Sequence, residues 1–117
     1  MPDFKRDKVI PIQTFHIDTE ACGTLHLTIG KQEDKIIEVR GTIGKAGTCC
    51  NTFLNSFCLI TSILLQGDMP RYKIIEKFKN QFIETNCGQP FIWRDKKYTS
   101  CVDLISCVVN AELERQV

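Results

Sequence analysis

Three groups of residues in this sequence have the types and spacing for chemistry. The first is Gly44-Lys45-Ala46-Gly47-Thr48. Glycines just ahead of a helix let backbone N–H groups converge on one anion, and Lys45 adds a positive charge. The spacing is not that of a nucleotide P-loop, because G-x-x-x-x-G-K-[ST] is absent. A plain strand-to-helix turn with positive φ at Gly44 and Gly47 explains the same residues. The second group, Thr99-Ser100-Cys101, opens another helix with hydroxyls at its start. Thr99 and Ser100 either cap that helix alone or also help its N–H groups receive an anion. The third is Trp93-Arg94, between Phe91 and Tyr98. An aromatic face suits a stacked base, and a planar guanidinium pairs with two phosphate oxygens at once. The competing reading is a connection that packs its aromatics onto the helices. Arg40 supplies a further cation. Arg40, Gly44, Lys45, Gly47, Thr48, Trp93, Arg94, Thr99 and Ser100 are therefore the expected contacts of a phosphorylated ligand.

Seven cysteines stand at 22, 49, 50, 58, 87, 101 and 107. No C-x-x-C pair occurs, and zinc ligands usually come in such local pairs. A site from Cys22, Cys49 or Cys50, Cys87 and Cys101 is conceivable, since each adjoins a turn or a helix start. Cys58 and Cys107 fall on apolar helical faces and read as small core residues. No metal or cofactor is assigned. Catalysis finds little support: His16 and His26 both fall in strands, and no motif places either beside a nucleophile. No catalytic residue is assigned, and the expected protein is not an enzyme.

Length and composition narrow the classes. The chain has 117 residues, the size of one domain, and 25% of them are charged, ordinary for a globular protein. Lysine plus arginine number 15 against 14 carboxylates, a net charge of +1. General binding to DNA or RNA needs a stronger positive field, so a small molecule is the expected partner. No run of about 18 apolar residues is available to span a bilayer. The opening MPDFKRDKVIPIQTF lacks the apolar core of a secretion signal. A cytoplasmic location follows, and the odd cysteine count argues against a full set of disulfides within one chain.

The elements that must position these residues change type along the chain, strands first and helices after, so the expected fold is α+β, with an antiparallel sheet of N-terminal strands packed against C-terminal helices. The expectation is a single domain over residues 1–117. Lys8–Ile17 is a strand candidate, with Ile10, Ile12 and His16 on one face and Val9, Phe15 and Ile17 on the other; Pro11 puts it at an edge or bulge. In Thr24–Ile29, Leu25, Leu27 and Ile29 share one face, and Ile36–Ile43 returns after a polar turn as the second arm of a hairpin. Asn51–Gln66 reads as a helix with Phe53, Phe57, Ile60 and Leu64 as its apolar stripe, widened by Leu54, Cys58 and Leu65. It contains no lysine, arginine or carboxylate. So bare a helix must be covered on several sides, which implies a second copy of the chain and a homodimer or larger homo-oligomer. Gly67 is expected to end it in a left-handed C-cap. Pro70 opens the next helix, with Tyr72, Ile75, Phe78 and Phe82 inward. Residues 91–98 read as an aromatic and basic connection with at most one short strand. The last helix runs to about Arg115, with Ser100 and Asp103 in the S/T-x-x-D/E capping pattern and Leu104, Cys107, Val108 and Ala111 inward.

The run Thr99-Ser100-Cys101-Val102-Asp103 resembles the TSCPD of the TSCPD domain family, with Val102 in place of proline. GTIGKAGTCCNTFLNSFCLITSILLQG is similar to the family's succession of glycine loop, long apolar helix and glycine stop, and the hairpin before it and MPRYKIIEKF after it fall in family order. The resemblance covers roughly residues 20–112. It implies a small α+β unit. Such domains end cobalamin-dependent ribonucleotide reductases and also stand alone, and some short relatives carry cysteines near the positions of Cys22, Cys49, Cys87 and Cys101. A looser similarity in size and plan is to phage sponge proteins of the Thoeris anti-defence type, which sequester cyclic ADP-ribose isomers and, in some cases, cyclic oligonucleotides. That similarity implies a non-catalytic nucleotide binder acting in the host cytoplasm. The alternatives are an accessory domain beside ribonucleotide reductase and a small cysteine-ligated metal protein.

Overall fold

The computed structural model describes residues 4–20, 22–44, 49–85, 87 and 90–116. Their elements are β1 (Ile12–Asp18), β2 (Thr24–Gln32), β3 (Lys35–Ile43), α1 (Cys49–Leu65), α2 (Arg71–Gln81), β4 (Phe91–Trp93), β5 (Lys96–Tyr98) and α3 (Cys101–Gln116). The fold is α+β: a three-stranded antiparallel sheet in the order β1-β2-β3, followed by helices, with β4 and β5 as a separate hairpin.

Alternation builds the sheet. Leu25, Leu27 and Ile29 of β2 and Ile37, Val39 and Ile43 of β3 are buried, and in the paired register Ile29 lies opposite Val39 and Leu25 opposite Ile43. The strand β1 starts at Ile12 rather than Lys8. Ile17 is its buried residue and Phe15 is half-buried, whereas Ile12 and His16 face solvent. Pro11 stays outside the strand, where its carbonyl still accepts the Lys31 N–H at 3.1 Å. Glu33 and Asp34 join β2 to β3 with φ of 53° and 64°, the positive values that a tight two-residue hairpin requires. The same device recurs at Arg94 and Asp95, with φ of 51° and 62°. So residues 91–98, expected to hold one short strand, form a complete hairpin.

The helices bury part of the expected faces: Leu54, Cys58 and Leu65, Phe78 and Leu104 are in the core as expected, and other expected positions are not. In α1 the buried positions are Leu54, Cys58, Thr61, Ser62 and Leu65; Phe57 and Leu64 are half-buried, and Phe53 and Ile60 are exposed. The inward face is thus displaced by about one residue step of 100°. Hydrogen bonding along β3, an edge strand, supplies the reason. Asn51 Oδ1 accepts the Ile43 N–H at 2.9 Å, Ser62 Oγ sits 2.9 Å from both the N and the O of Val39, and Gln66 Nε2 donates to the Ile37 carbonyl at 3.1 Å. Polar side chains of α1 therefore cover an edge that would otherwise be open to pairing. Gly41 lets the helix come close: a Cβ there would lie 3.0 Å from Cys58 Sγ.

In α2, Ile74 and Phe78 are buried, while Tyr72 is exposed and Ile75 and Phe82 are half-buried. In α3 the core residues are Leu104, Ile105, Val109 and Leu113; Cys107 and Val108 are half-buried and Ala111 is exposed. Gly67 follows α1 without a positive φ, so its expected left-handed cap is not formed; its N–H instead reaches the Leu64 carbonyl at 3.2 Å. Ile17, Leu27, Val39, Phe78, Leu104 and Val109 belong to one hydrophobic cluster joining sheet and helices.

Candidate functional site

The β4–β5 hairpin docks on β1 through Trp93, whose ring meets Phe15 edge to face at 5.9 Å. Next to that contact is a cleft of about 410 Å³, lined by residues of β1 (Gln13, Phe15), the hairpin (Trp93, Arg94, Lys96, Tyr98) and α3, including Cys107 and Glu112. Two cations lie over its rings. The Arg94 guanidinium is 4.4 Å from the Trp93 ring centre and 5.5 Å from that of Phe15, and Lys96 Nζ is 5.2 Å from that of Tyr98. Neither cation forms a salt bridge among the described residues. Such contacts hold a cation over apolar surface and leave its outer N–H groups for an anion.

The carboxylate at the cleft's edge is already engaged. Glu112 binds Lys31 at 3.0 Å and Arg115 at 3.1 Å. Burial alone would raise its pKa, but these two cations outweigh that and hold it below the usual value. Cys107 is shifted the other way: burial, then the Asp103 carboxylate 3.7 Å away, raise its pKa and keep the thiol protonated. Burial likewise raises Tyr98, against a smaller opposing effect of Lys96. The cleft thus offers two cations, three aromatic rings, a protonated thiol and an ion-paired carboxylate, an arrangement suited to holding an anionic aromatic molecule.

The other expected contacts are distributed elsewhere. Phe91 is 3% exposed and stacks on Tyr98 at 5.9 Å, in the core. Arg40 is exposed on the outer sheet face and pairs with Glu38 at 3.1 Å, beside a separate 130 Å³ recess with Arg6 and Thr28. Thr99 and Ser100 are turned inward. Ser100 Oγ accepts the Asp103 N–H at 2.9 Å, which realises half of the expected capping box. Ser100 Oγ also shares a hydrogen bond with Thr85 Oγ1 at 2.9 Å, and Thr99 Oγ1 donates to the Thr85 carbonyl at 2.7 Å. Asp103, 4% exposed, accepts the backbone N–H groups of Glu84 at 2.6 Å and Thr99 at 3.0 Å, tying the chain after α2 to the start of α3. Gly44 has φ of 59°, as the turn requires. Lys45, Gly47 and Thr48 lie outside the described residues.

Cys22, Cys87 and Cys101 line one apolar pocket of about 250 Å³ with Ile43, Phe53 and Val102. Among the described residues no group of three or more His, Cys, Asp or Glu is placed to hold a metal ion. The side chains of Cys49 and Cys50 lie outside the description. His16 and His26 face each other across β1 and β2, with ring centres 4.6 Å apart on the outer sheet face.

Sequence reasoning missed Phe15, Lys96 and the α3 wall of the cleft. The alternation Phe91, Trp93 and Lys96, Tyr98 about a two-residue turn carried the signal for the hairpin, but arginine and aspartate stood where such turns usually show asparagine and glycine.

The fold and cleft define a small α+β domain in which a sheet, an edge-covering helix and a docked hairpin surround one core. The chain belongs to the TSCPD domain family, whose model matches residues 4–113. No curated protein and no solved structure matches it. Among the described residues no helix is long and apolar enough to cross a membrane.

Proposed function

We propose that this protein binds a phosphorylated, nucleotide-type small molecule in the Phe15–Trp93–Arg94–Lys96 cleft and does not transform it. One observation carries the reading: Arg94 and Lys96 lie over aromatic rings at the wall of a 410 Å³ cleft, with no described carboxylate paired to either. That volume suits one small ligand. The guanidinium would pair with phosphate oxygens and an aromatic ring would stack a base. In its finer form the proposal is sequestration of a cyclic ADP-ribose-type or cyclic oligonucleotide signal by a sponge protein, a role that needs tight binding alone. Titration calorimetry with cyclic ADP-ribose isomers, cyclic dinucleotides and inorganic phosphate tests it. The proposal expects heat with at least one nucleotide, recovery of that nucleotide unaltered, and at least a tenfold loss of affinity in Arg94→Ala. Absence of heat with every ligand, or unchanged affinity in the variant, would overturn it.

Family membership favours a second reading, an accessory domain acting beside a ribonucleotide reductase. It expects co-purification with a reductase subunit, where the first expects a retained small molecule.

A further inference from the structure

The outward face of α1 is the largest feature that the cleft does not use. Phe53 is 74% exposed, Ile60 65%, Ile63 71% and Leu59 52%. Helical geometry places these four on one side, with Thr52 and Ser56 among them, opposite the Leu54–Cys58–Ser62 face that packs on β3. The whole helix carries no charged side chain. Their exposed apolar surface amounts to roughly 500 Å², at the upper end of what a monomer leaves in one patch. The patch continues past the helix into two apolar recesses that both include Cys87, Ser100 and Val102; one is bordered by Phe53 and the other by Phe57 and Phe82. With this extension the surface supplies the larger part of the approximately 800 Å² per partner of a standard stable interface.

We infer that α1 packs antiparallel against α1 of a second copy across a two-fold axis. Three features select a second copy over another occupant. The surface presents both protruding side chains (Phe53, Ile60, Ile63) and recesses, so it can fill itself. The absence of charge means that no like-charge pair arises when the face meets its own image. Nor does α1 itself carry the basic residues by which an amphipathic helix binds an anionic membrane. In the antiparallel arrangement Phe53 of one copy lies against the Ile63 position of the other, and Ile60 against the small Ser56. The inference is independent of any ligand in the cleft.

Sedimentation equilibrium of the purified full chain tests it. The expected mass is twice the 13.4 kDa of one chain. Ile60→Glu, a substitution at an exposed position, is expected to yield a folded monomer, with helix content judged by circular dichroism. Should that variant unfold, the milder Ile60→Ser is expected to weaken association at least tenfold. Phe53→Lys and Ile63→Glu chains are each expected to be monomeric alone and to pair when mixed, since one contact then joins lysine to glutamate and the other remains Phe53 to Ile63. A monomeric wild type, a dimer indifferent to Ile60→Glu, failure of the mixed chains to pair, or flotation of wild-type monomer with anionic vesicles would overturn the inference.

Discussion

Replacing Ser62 with alanine tests how α1 holds the sheet. Ser62 is 8% exposed, and its Oγ accepts the Val39 N–H at 2.9 Å. The single hydroxyl hydrogen is shared between the carbonyls of Val39 at 2.9 Å and Cys58 at 3.0 Å. Alanine removes the acceptor without bringing in a replacement. The Val39 N–H then stays buried and unpaired, at a cost of about 1–3 kcal/mol, and the Val39 carbonyl loses a donor worth about 0.5–1.5 kcal/mol. The Cys58 carbonyl lies inside a helix and loses least. We expect Ser62→Ala to destabilise the fold by about 2–3 kcal/mol, a fall in Tm of roughly 10 °C for a chain of this size. Urea denaturation measures it, with an unchanged slope and a lower midpoint. Lys77→Ala, at an exposed position of α2 away from the apolar face of α1, is the control and should stay within about 0.5 kcal/mol. A loss below about 0.5 kcal/mol for Ser62→Ala would show that the hydroxyl does not satisfy the strand edge.

Three further outcomes follow from the same packing and charges. Gly41→Val forces methyl groups toward Cys58 Sγ, already 3.0 Å from an added Cβ, and should cost about 1–3 kcal/mol in the same denaturation assay. Burial pushes the Cys58 thiol up to about 12, so in native protein at pH 8 this cysteine should resist iodoacetamide and react only after unfolding, as peptide mass mapping would reveal. Acid should also weaken the fold. Burial tends to raise Glu38, but hydrogen bonds from Arg6 and Arg40 and their charges hold it below its ordinary 4.5. A carboxyl with a lowered folded pKa contributes stability above its unfolded value and loses it as pH falls through the folded one. Melting temperatures should therefore decline below about pH 4.5, and Glu38→Gln should flatten that decline.

The sequence disclosed the sheet well and the helix faces only in part, for a physical reason. In β2 and β3 the apolar residues point to the core and the polar ones to water, so a period of two reveals both strand and face. The helix α1 reverses this rule along part of its surface. Asn51, Ser62 and Gln66 turn inward because β3 has unpaired backbone groups to satisfy, while Phe53, Ile60 and Ile63 turn outward. Hydrophobic periodicity cannot reveal a helix that uses polar side chains to complete a sheet. The bareness of the helix was nevertheless legible, since the segment carries no charged side chain. Of the candidate site, Trp93 and Arg94 could be read from residue type. Lys96 joins them through the hairpin's own pairing, opposite Trp93, and Phe15 only through the docking of the hairpin on β1, a long-range contact with no local trace. Thr99 and Ser100 looked like exposed hydroxyls because a helix cap and a ligand contact share one sequence pattern; burial assigns their hydrogen bonds to Thr85 and Asp103.

Mass spectrometry of what the protein carries bears most directly on the proposed function. Chain expressed in cells that make cyclic nucleotide signals, purified at low salt and gently denatured, should release a phosphorylated aromatic compound in near-stoichiometric amount. Arg94→Ala should release almost none. Both side chains carry a Cβ, so the hairpin turn at φ 51° is no more strained in the variant, and the loss reports on the guanidinium itself. Wild-type protein that releases nothing, and takes up no nucleotide when soaked with the panel, would contradict the account.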